Sequence, residues 1–338
     1  MSPVTRAFGA VIATLLAAQT QAQTLRPDQT QFRALYKELV ETNTTLSAGS
    51  CTLAAQRMAA HLKAAGFKDS ELNVFSVPTN PKEGGLVAVL PGSDPNAGTI
   101  LLLAHLDVVE ANRADWTRDP FVLVEENGWF YARGASDDKA QAAIFTDTMA
   151  RLKAGKPPRR TLKLALTCGE ETGGAFNGAE WLVKNHKDWI AADFALNEGS
   201  VGIRNKEGKH VSLGMQAGEK VYQDFRIEAT NPGGHSSRPR PDNAIYELAA
   251  ALVRIGQYEF PVQFNDTTRA YFTETAKLTG GETGAAMTAL LANPNDAAAN
   301  AIVSKDPTFH SMLRTTCVAT ELDGGHAKNA LPQRAGAN

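Results

Sequence analysis

Apolar and polar residues alternate along the first two thirds of the chain with two different periods. Phe32, Leu35, Tyr36, Leu39 and Val40 recur with the spacing of one helix face, which predicts an amphipathic helix at the start of the mature domain. Strands that alternate with helices indicate an α/β domain with a largely parallel sheet. The further predicted helices are Leu53–Ala65, Lys139–Lys153 and Ala179–His186, and the predicted strands are Asn73–Val77, Leu86–Leu90, Thr99–Val109, Phe121–Glu125, Trp129–Ala132, Leu162–Thr167 and Phe194–Leu196.

The pattern changes after about Ala217. Alternating residues from Val221 to Ala229 predict an antiparallel strand, and Asn243 to Ile255 predict a helix after a loop rich in Gly and Pro. The Ala- and Asn-rich stretch Glu282–Asn300 predicts a weak helix followed by a linker. We therefore expect a first domain over residues 23–216 and a smaller α+β domain over residues 217–338.

Length and charge narrow the class of protein. A chain of 338 residues with 43% apolar content suits about two globular domains and is unlike a disordered sequence. The 34 Lys and Arg nearly balance the 36 Asp and Glu, and no basic block occurs. Nucleic acid is therefore not an expected partner, whereas a small molecule is.

The first 22 residues have the pattern of a signal peptide. Arg6 precedes the apolar run Ala7–Ala18, which is too short to span a bilayer, and Ala22 offers a small residue at the cleavage point. The alternative is a buried N-terminal helix. The signal peptide predicts a periplasmic or secreted protein that has no membrane segment after cleavage.

Cysteine chemistry contributes little to the prediction. Cys51, Cys168 and Cys317 are too few for a disulfide framework, and an odd number leaves at least one of them unpaired. Cys168 ends an apolar run and is expected to be a small buried side chain.

Four short motifs stand at or just after predicted strand ends, where open α/β sheets bind ligands. Alternation places His105 and Asp107 on the same side of their strand, so that the carboxylate can orient the imidazole as a metal ligand. Glu170 and Glu171 repel each other unless a cation lies between them. The remaining motifs are Gly134-Ala135-Ser136-Asp137-Asp138-Lys139 and Asn197-Glu198-Gly199. Taken alone, each motif also fits an ordinary polar pair, helix cap or solvated loop.

The four motifs together indicate a metal centre. His105, Asp137, Glu171 and Glu198 are separated by 32, 34 and 27 residues, about one strand–helix–strand unit each. One imidazole with several carboxylates suits Zn²⁺, or Co²⁺ and Mn²⁺, and two metals that share a carboxylate would use all four side chains.

In order and spacing, these motifs resemble those of the co-catalytic zinc exopeptidases. That family includes glutamate carboxypeptidase, the Gly-Xaa carboxypeptidases, aminoacylase and succinyl-diaminopimelate desuccinylase. The resemblance implies a mixed, largely parallel sheet with helices on both faces, and an inserted α+β lid or dimerisation domain. It also implies two zinc ions, of which the first is bound by His105 and Glu198 and the second by Glu171. Asp137 would bridge both ions and would precede a cis peptide bond to Asp138. Asp107 would orient His105, and Glu170 would be the general base.

The second domain extends the resemblance. Gly233-Gly234-His235-Ser236-Ser237 is similar to a lid loop whose histidine enters the partner subunit's active site in dimeric members, which implies a homodimer and an oxyanion contact by His235. Asn329-Ala330-Leu331-Pro332 is similar to a stretch whose asparagine contacts substrate. In the family the chain then returns to the first domain with a further histidine ligand. We therefore expect a C-terminally truncated form, in which the second zinc has only Asp137 and Glu171.

The predicted function is hydrolysis of a peptide or N-acyl amide bond next to a free carboxylate. A carboxypeptidase or dipeptidase is favoured over an N-acyl amino acid amidohydrolase, because Asp115–Phe121 and Asn197–Gly199 are more similar to the Gly-Xaa carboxypeptidase branch. The alternatives of a different class are an inactive zinc-binding fragment and a periplasmic solute-binding protein.

Overall fold

The computed structural model of the chain describes residues 25–172 and 176–338. The predicted signal peptide, residues 1–22, lies outside the described residues. The chain divides into two compact units, the first ending at Gly199 and the second comprising Ser200–Asn338. The second unit thus begins earlier than the predicted boundary after residue 216, because the hairpin at 202–213 belongs to it.

The first unit is built on a five-stranded mixed sheet. Its strands are β1 (Leu72–Val77), β2 (Asn80–Leu90), β3 (Thr99–His105), β6 (Thr161–Thr167) and β7 (Phe194–Leu196), in the spatial order β1-β2-β6-β3-β7. The short strands β4 (Val124–Glu126) and β5 (Trp129–Tyr131) form a hairpin around Asn127-Gly128. β3 runs parallel to both β6 and β7, whereas β1 and β2 pair antiparallel. β3 ends at His105, so the predicted strand to Val109 is too long.

Helices cover both faces of this sheet, as predicted. One face holds the main core, where residues such as Leu39, Met58 and Leu164 are fully buried. The opposite face packs Val87 and Leu101 against Trp181. The helices of the main face are α1 (Pro27–Glu41), α2 (Cys51–Ala64) and α3 (Lys139–Ala154), and those of the other face are α4 (Gly178–Asn185) and α5 (Lys187–Ile190).

The expectation that Cys168 is a small buried side chain captures its burial but not its partner. Cys168 forms a disulfide with Cys51, 117 residues earlier in the chain, while Cys317 is free and exposed. The bond joins the first residue of α2 to the residue that follows β6. Its two sulfurs come from segments far apart in sequence, so a cysteine count could not predict the pairing.

The second unit is α+β, as predicted, but its elements differ from the expectation. The predicted strand 221–229 begins only at Ile227 and runs to Thr230, since Val221 and Phe225 are exposed and no strand pairs with them in the described chain. The predicted weak helix and linker over 282–300 are part of a helical cluster that buries Phe272, Met287 and Leu290. The helices of the unit are α6 (Ala244–Gln257), α7 (Asp266–Thr279), α8 (Gly281–Ala292), α9 (Ala297–Val303) and α10 (Pro307–Met312).

The strands of the second unit form three small sheets. A three-stranded sheet is packed by α6, which buries Ala244 and Leu248 against it. The strands of the whole unit are β8 (Gly202–Arg204), β9 (His210–Leu213), β10 (Ile227–Thr230), β11 (Gly234–His235), β12 (Leu322–Gly324), β13 (Ala330–Leu331) and β14 (Arg334–Ala337). They pair as β8-β9, β10-β14-β12 and β11-β13. Within the described parts of both units, no helix is long and apolar enough to cross a membrane.

Candidate metal centre

The candidate site lies where three parallel strands end side by side. His105 is the last residue of β3 and is in register with Thr167, the last residue of β6. Leu102 of β3 is in register with Leu196, the last residue of β7. Because parallel strands end at a common edge, the residues that follow β6 and β7 are brought to His105, and these include Glu170 and Glu198.

His105 stands at the centre of a group of carboxylates. Its Nε2 lies 3.0 Å from Asp137 Oδ1, 3.5 Å from Glu198 Oε1 and 3.8 Å from Glu170 Oε2. One ligating atom from each of His105, Asp137 and Glu198 can be chosen so that all lie within 4.8 Å of one another. The imidazole is 3% exposed, whereas the side chains of Asp137 and Glu170 are 66% and 56% exposed, so the carboxylates face solvent above a buried histidine.

Asp107 connects His105 to the loop that follows β6. His105 Nδ1 lies 3.0 Å from the main-chain carbonyl oxygen of Asp107 and 3.5 Å from Asp107 Oδ1. The nearer atom is thus the carbonyl oxygen, whereas the sequence predicted the carboxylate as the orienting group. Asp107 Oδ2 accepts a hydrogen bond from the backbone N–H of Glu171 (2.9 Å), which ties the paired glutamates to the end of β3.

Asp138 and Lys139 are two buried residues whose contacts the sequence analysis missed. Taken alone, this motif also fits a helix cap, but the Asp138 side chain makes no capping hydrogen bond, and its Oδ2 accepts one from the backbone N–H of His105 (3.2 Å). Lys139 Nζ donates to the carbonyl oxygen of Thr42 (2.7 Å). The only sequence signal for these contacts was the run Asp137-Asp138-Lys139 itself. The peptide bond between the two aspartates is cis, as the resemblance implied.

Burial and like charge shape the electrostatics of the site. Burial, with the charge of Asp137 next in size among the raising effects, raises the pKa of Glu171 and of Glu198. Burial also raises the pKa of Asp138 to about 7. Burial by itself lowers the pKa of His105, but the Asp107 carboxylate, followed by the charges of Asp138 and Glu198, outweighs it and raises that pKa to about 10. The carboxylates therefore favour a positive charge at the centre of the group.

The residues present fit a divalent metal ion. An imidazole and carboxylates that converge within a few ångströms are the donor set that Zn²⁺ and similar borderline cations bind. Asp107 Oδ1 is buried without a hydrogen-bond partner among the described atoms, so the charge next to His105 is only partly balanced. Glu171 is not part of the three-residue group, although the charge of Asp137 acts on its carboxylate.

A second group of ligand type contains Cys51, Asp107 and Cys168. Its two sulfurs are joined in the disulfide, so they have no thiolate to offer a metal. In the described part of the chain, the His105 group is therefore the better candidate for a metal centre.

The structure brings together the two predicted substrate-contacting residues of the second unit. β11 and β13 pair antiparallel with His235 opposite Ala330, and the backbone N–H of Ser236 donates to the carbonyl oxygen of Asn329 (3.0 Å). Both side chains are exposed. The Nδ1 of His235 lies 2.8 Å from Ser237 Oγ, which fixes the direction of the imidazole.

The fold and the site define an α/β protein with a candidate metal centre at the carboxyl edge of a mixed sheet. The pattern of peptidase family M20/M25/M40 matches residues 101–310, more than half of the chain, and the chain belongs to this family. The matched range contains His105, Asp137, Glu170, Glu171 and Glu198. The family resemblance read from the motifs is thereby confirmed.

The curated proteins to which the chain is similar in sequence are named as hydrolases of more than one kind. The mouse N-fatty-acyl-amino acid synthase/hydrolase PM20D1 is 29% identical over 249 residues, which are 72% of this chain and 49% of the relative. Human aminoacylase-1 is 34% identical over 170 residues, 49% of this chain and 40% of the relative. The chain thus spans about half the length, or less, of these curated relatives.

Solved structures of the family share the fold. The yeast dipeptidase Dug1p superposes with a TM-score of 0.61 at 16% identity, covering 91% of this chain and 68% of that one. Human carnosine dipeptidase 1 gives a TM-score of 0.56 at 20% identity, with the same coverage. These likenesses confirm the predicted mixed α/β architecture.

Proposed function

We propose that the protein is a zinc-dependent hydrolase that cleaves an amide bond whose nitrogen belongs to an amino acid with a free carboxylate. The observation that carries the proposal is the convergence of Asp137, Glu198 and Glu170 on the buried His105 imidazole. His105, Asp137 and Glu198 would hold one metal, and Glu171 with Asp137 would contribute to a second. Bound zinc supplies Lewis-acid chemistry, in that it acidifies water and polarises a carbonyl oxygen.

Glu170 is the proposed general base. Its carboxylate lies at the solvent-exposed mouth of the group, 3.8 Å from His105 Nε2, and can accept a proton from an attacking water. The same carboxyl group can return the proton to the leaving amine. Asp107 holds the loop of Glu170 through the backbone of Glu171, which keeps the base beside the cluster.

The substrate class rests on the names of the relatives. A fatty-acyl amino acid hydrolase, an aminoacylase and an uncharacterized carboxypeptidase of fission yeast are all matched by the chain. A carboxypeptidase or dipeptidase and an N-acyl amino acid amidohydrolase break the same kind of bond. The peptidase is our first candidate, and the sequence relatives named for acylated amino acids favour the amidohydrolase as the second.

The test begins with the zinc content of the purified protein after dialysis. We expect at least one zinc per chain, and close to two if Glu171 completes a second position. Hydrolysis is then compared between a dipeptide, an N-acyl amino acid and the same dipeptide with a C-terminal carboxamide, which should not be cleaved. A chain without zinc, or cleavage of the carboxamide at the same rate, would contradict the proposal.

We also propose that the protein acts as a homodimer in which His235 of the partner subunit contacts the substrate oxyanion. The support is the family resemblance of the lid loop and the exposure of His235 on the β11–β13 pair. An inactive His235→Ala protein mixed with an inactive Glu170→Gln protein should then recover activity. If half of the dimers are mixed and each has one intact site, about a quarter of wild-type activity should return. No recovery in a mixture whose dimers exchange would count against the arrangement.

A further inference from the structure

One cysteine of the Cys51–Cys168 disulfide, Cys168, lies two residues before Glu170 in the chain. We propose that this disulfide is a positioning cross-link for Glu170, an inference that rests on the proposed function. Cys168 directly follows β6, and Cys51 is the first residue of α2, whose cap Ser50 accepts a hydrogen bond from the N–H of Leu53. The cross-link therefore attaches the loop of the base to the start of a helix in the main core.

The side chain of Glu170 has little support of its own. It is 56% exposed, and it makes no hydrogen bond with the described residues, since its carboxylate lies 3.8 Å from His105 Nε2. The direction of its carboxylate is consequently set by the backbone on either side. Gly169, between the disulfide and the base, has φ +88° and passes so close to the carbonyl oxygen of Phe176 that a Cβ would lie 1.7 Å from it. No other residue fits this position without moving the loop.

The hydrogen bonds of two carbonyl groups of this loop stay within its own segment of the chain. The carbonyl oxygen of Cys168 accepts from the N–H of Gly178 (2.7 Å), and that of Gly169 accepts from Asn177 Nδ2 (3.1 Å). Both partners lie further along the same chain segment, where α4 begins. Among the described residues, the links to another part of the fold include the hydrogen bond from Glu171 N–H to Asp107 Oδ2 and the disulfide.

The disulfide also closes a ring of contacts around Asp107. Thr44 Oγ1 donates to the carbonyl oxygen of Leu106 (2.7 Å), so the segment that leads to Cys51 is held to the chain just beyond His105. Asp107 and both cysteines are buried and line one small cavity. With the sulfurs separated, the loop could move into this cavity, and a displacement near 1 Å is enough to cost a reaction about a hundredfold.

The experiment removes the disulfide in the double variant Cys51→Ala/Cys168→Ala, with Cys317→Ala in the second unit as the control. We expect kcat to fall about tenfold or more, with KM within about twofold and zinc content unchanged, at a temperature well below unfolding. In a protein that already carries Glu170→Gln, loss of the disulfide should not lower the residual rate further, because the disulfide acts on catalysis through Glu170. An equal loss in both backgrounds, or an unchanged kcat, would overturn the proposal.

Hydrogen exchange provides a measurement that does not depend on activity. Amides of residues 168–171 should exchange faster in the double variant while those of α3 stay unchanged, and equal exchange at 168–171 would overturn the proposal. A wild-type protein without hydrolytic activity would refute the proposed function but leave this measurement interpretable.

If the double variant does not fold, wild-type protein treated with a water-soluble phosphine replaces it. The phosphine is oxidised to its oxide with one oxygen from water, and the two sulfurs become two thiols.

Discussion

Replacement of Glu170 by Gln is expected to lower kcat for amide hydrolysis by about 10²–10⁴-fold without loss of zinc. Gln keeps the size and polarity of the side chain but cannot accept a proton from water. The proposed role of Glu170 is that of the base, and other residues are the proposed metal ligands, so we expect the zinc to be retained. Zinc content and kcat are to be measured on the same preparation.

The neighbouring Glu171 offers a matched control in the same loop. Glu171→Gln removes a proposed metal ligand, so metal content should fall together with activity. If Glu170→Gln loses zinc instead, Glu170 belongs to the metal ligands and the two roles are exchanged. If Glu170→Gln retains full activity, another group is the base.

His105→Ala is expected to remove at least one zinc equivalent and the activity with it. The buried imidazole is the point on which the carboxylates of Asp137, Glu198 and Glu170 converge, and no other histidine joins their group in the described chain. Alanine leaves three carboxylates without the positive or metal-bound centre that offsets their repulsion. Metal analysis after dialysis measures the loss, and His210→Ala on the exposed strand β9 is the control.

Zinc binding to the metal-free protein should also release a proton at pH 7. In the metal-free site the pKa of His105 is raised to about 10, so the imidazole is protonated, whereas a metal ligand must be neutral. Affinity should therefore decrease as the pH is lowered. Titration calorimetry in two buffers of different ionisation enthalpy counts the protons, and the wild-type protein should release about one proton per zinc bound at this site. Zinc binding without proton release would show that His105 is not the group that exchanges a proton for zinc.

The strand ends were the most predictable part of the site. Apolar runs that stop at His105, before Glu170 and before Glu198 can be read directly, and the parallel order of β3, β6 and β7 brings them together. The role of Asp138 could not be read in the same way, because a helix cap and a hydrogen bond to His105 N–H require the same residue type at the same place.

Contacts between distant segments account for the other differences. Cys51 and Cys168 meet only because α2 packs on the sheet next to the end of β6. The alternating residues from Val221 onward fit a strand locally, but a strand forms only where a neighbour pairs with it, and pairing begins at Ile227. The local sequence pattern predicts neither the disulfide nor the start of the strand, because both depend on which segments the rest of the fold places side by side.

Asp107 serves two parts of the site through one side chain and one carbonyl group. Its backbone and Oδ1 face the ring of His105, and its Oδ2 holds the loop of the glutamates. Metal affinity and the placement of the base are thus tied to a single position, and a change there alters both at once. Engineering the centre toward another metal should leave Asp107 in place and begin at Glu198, which follows a separate strand, β7, and shares no hydrogen bond with the loop of Glu170 among the described residues.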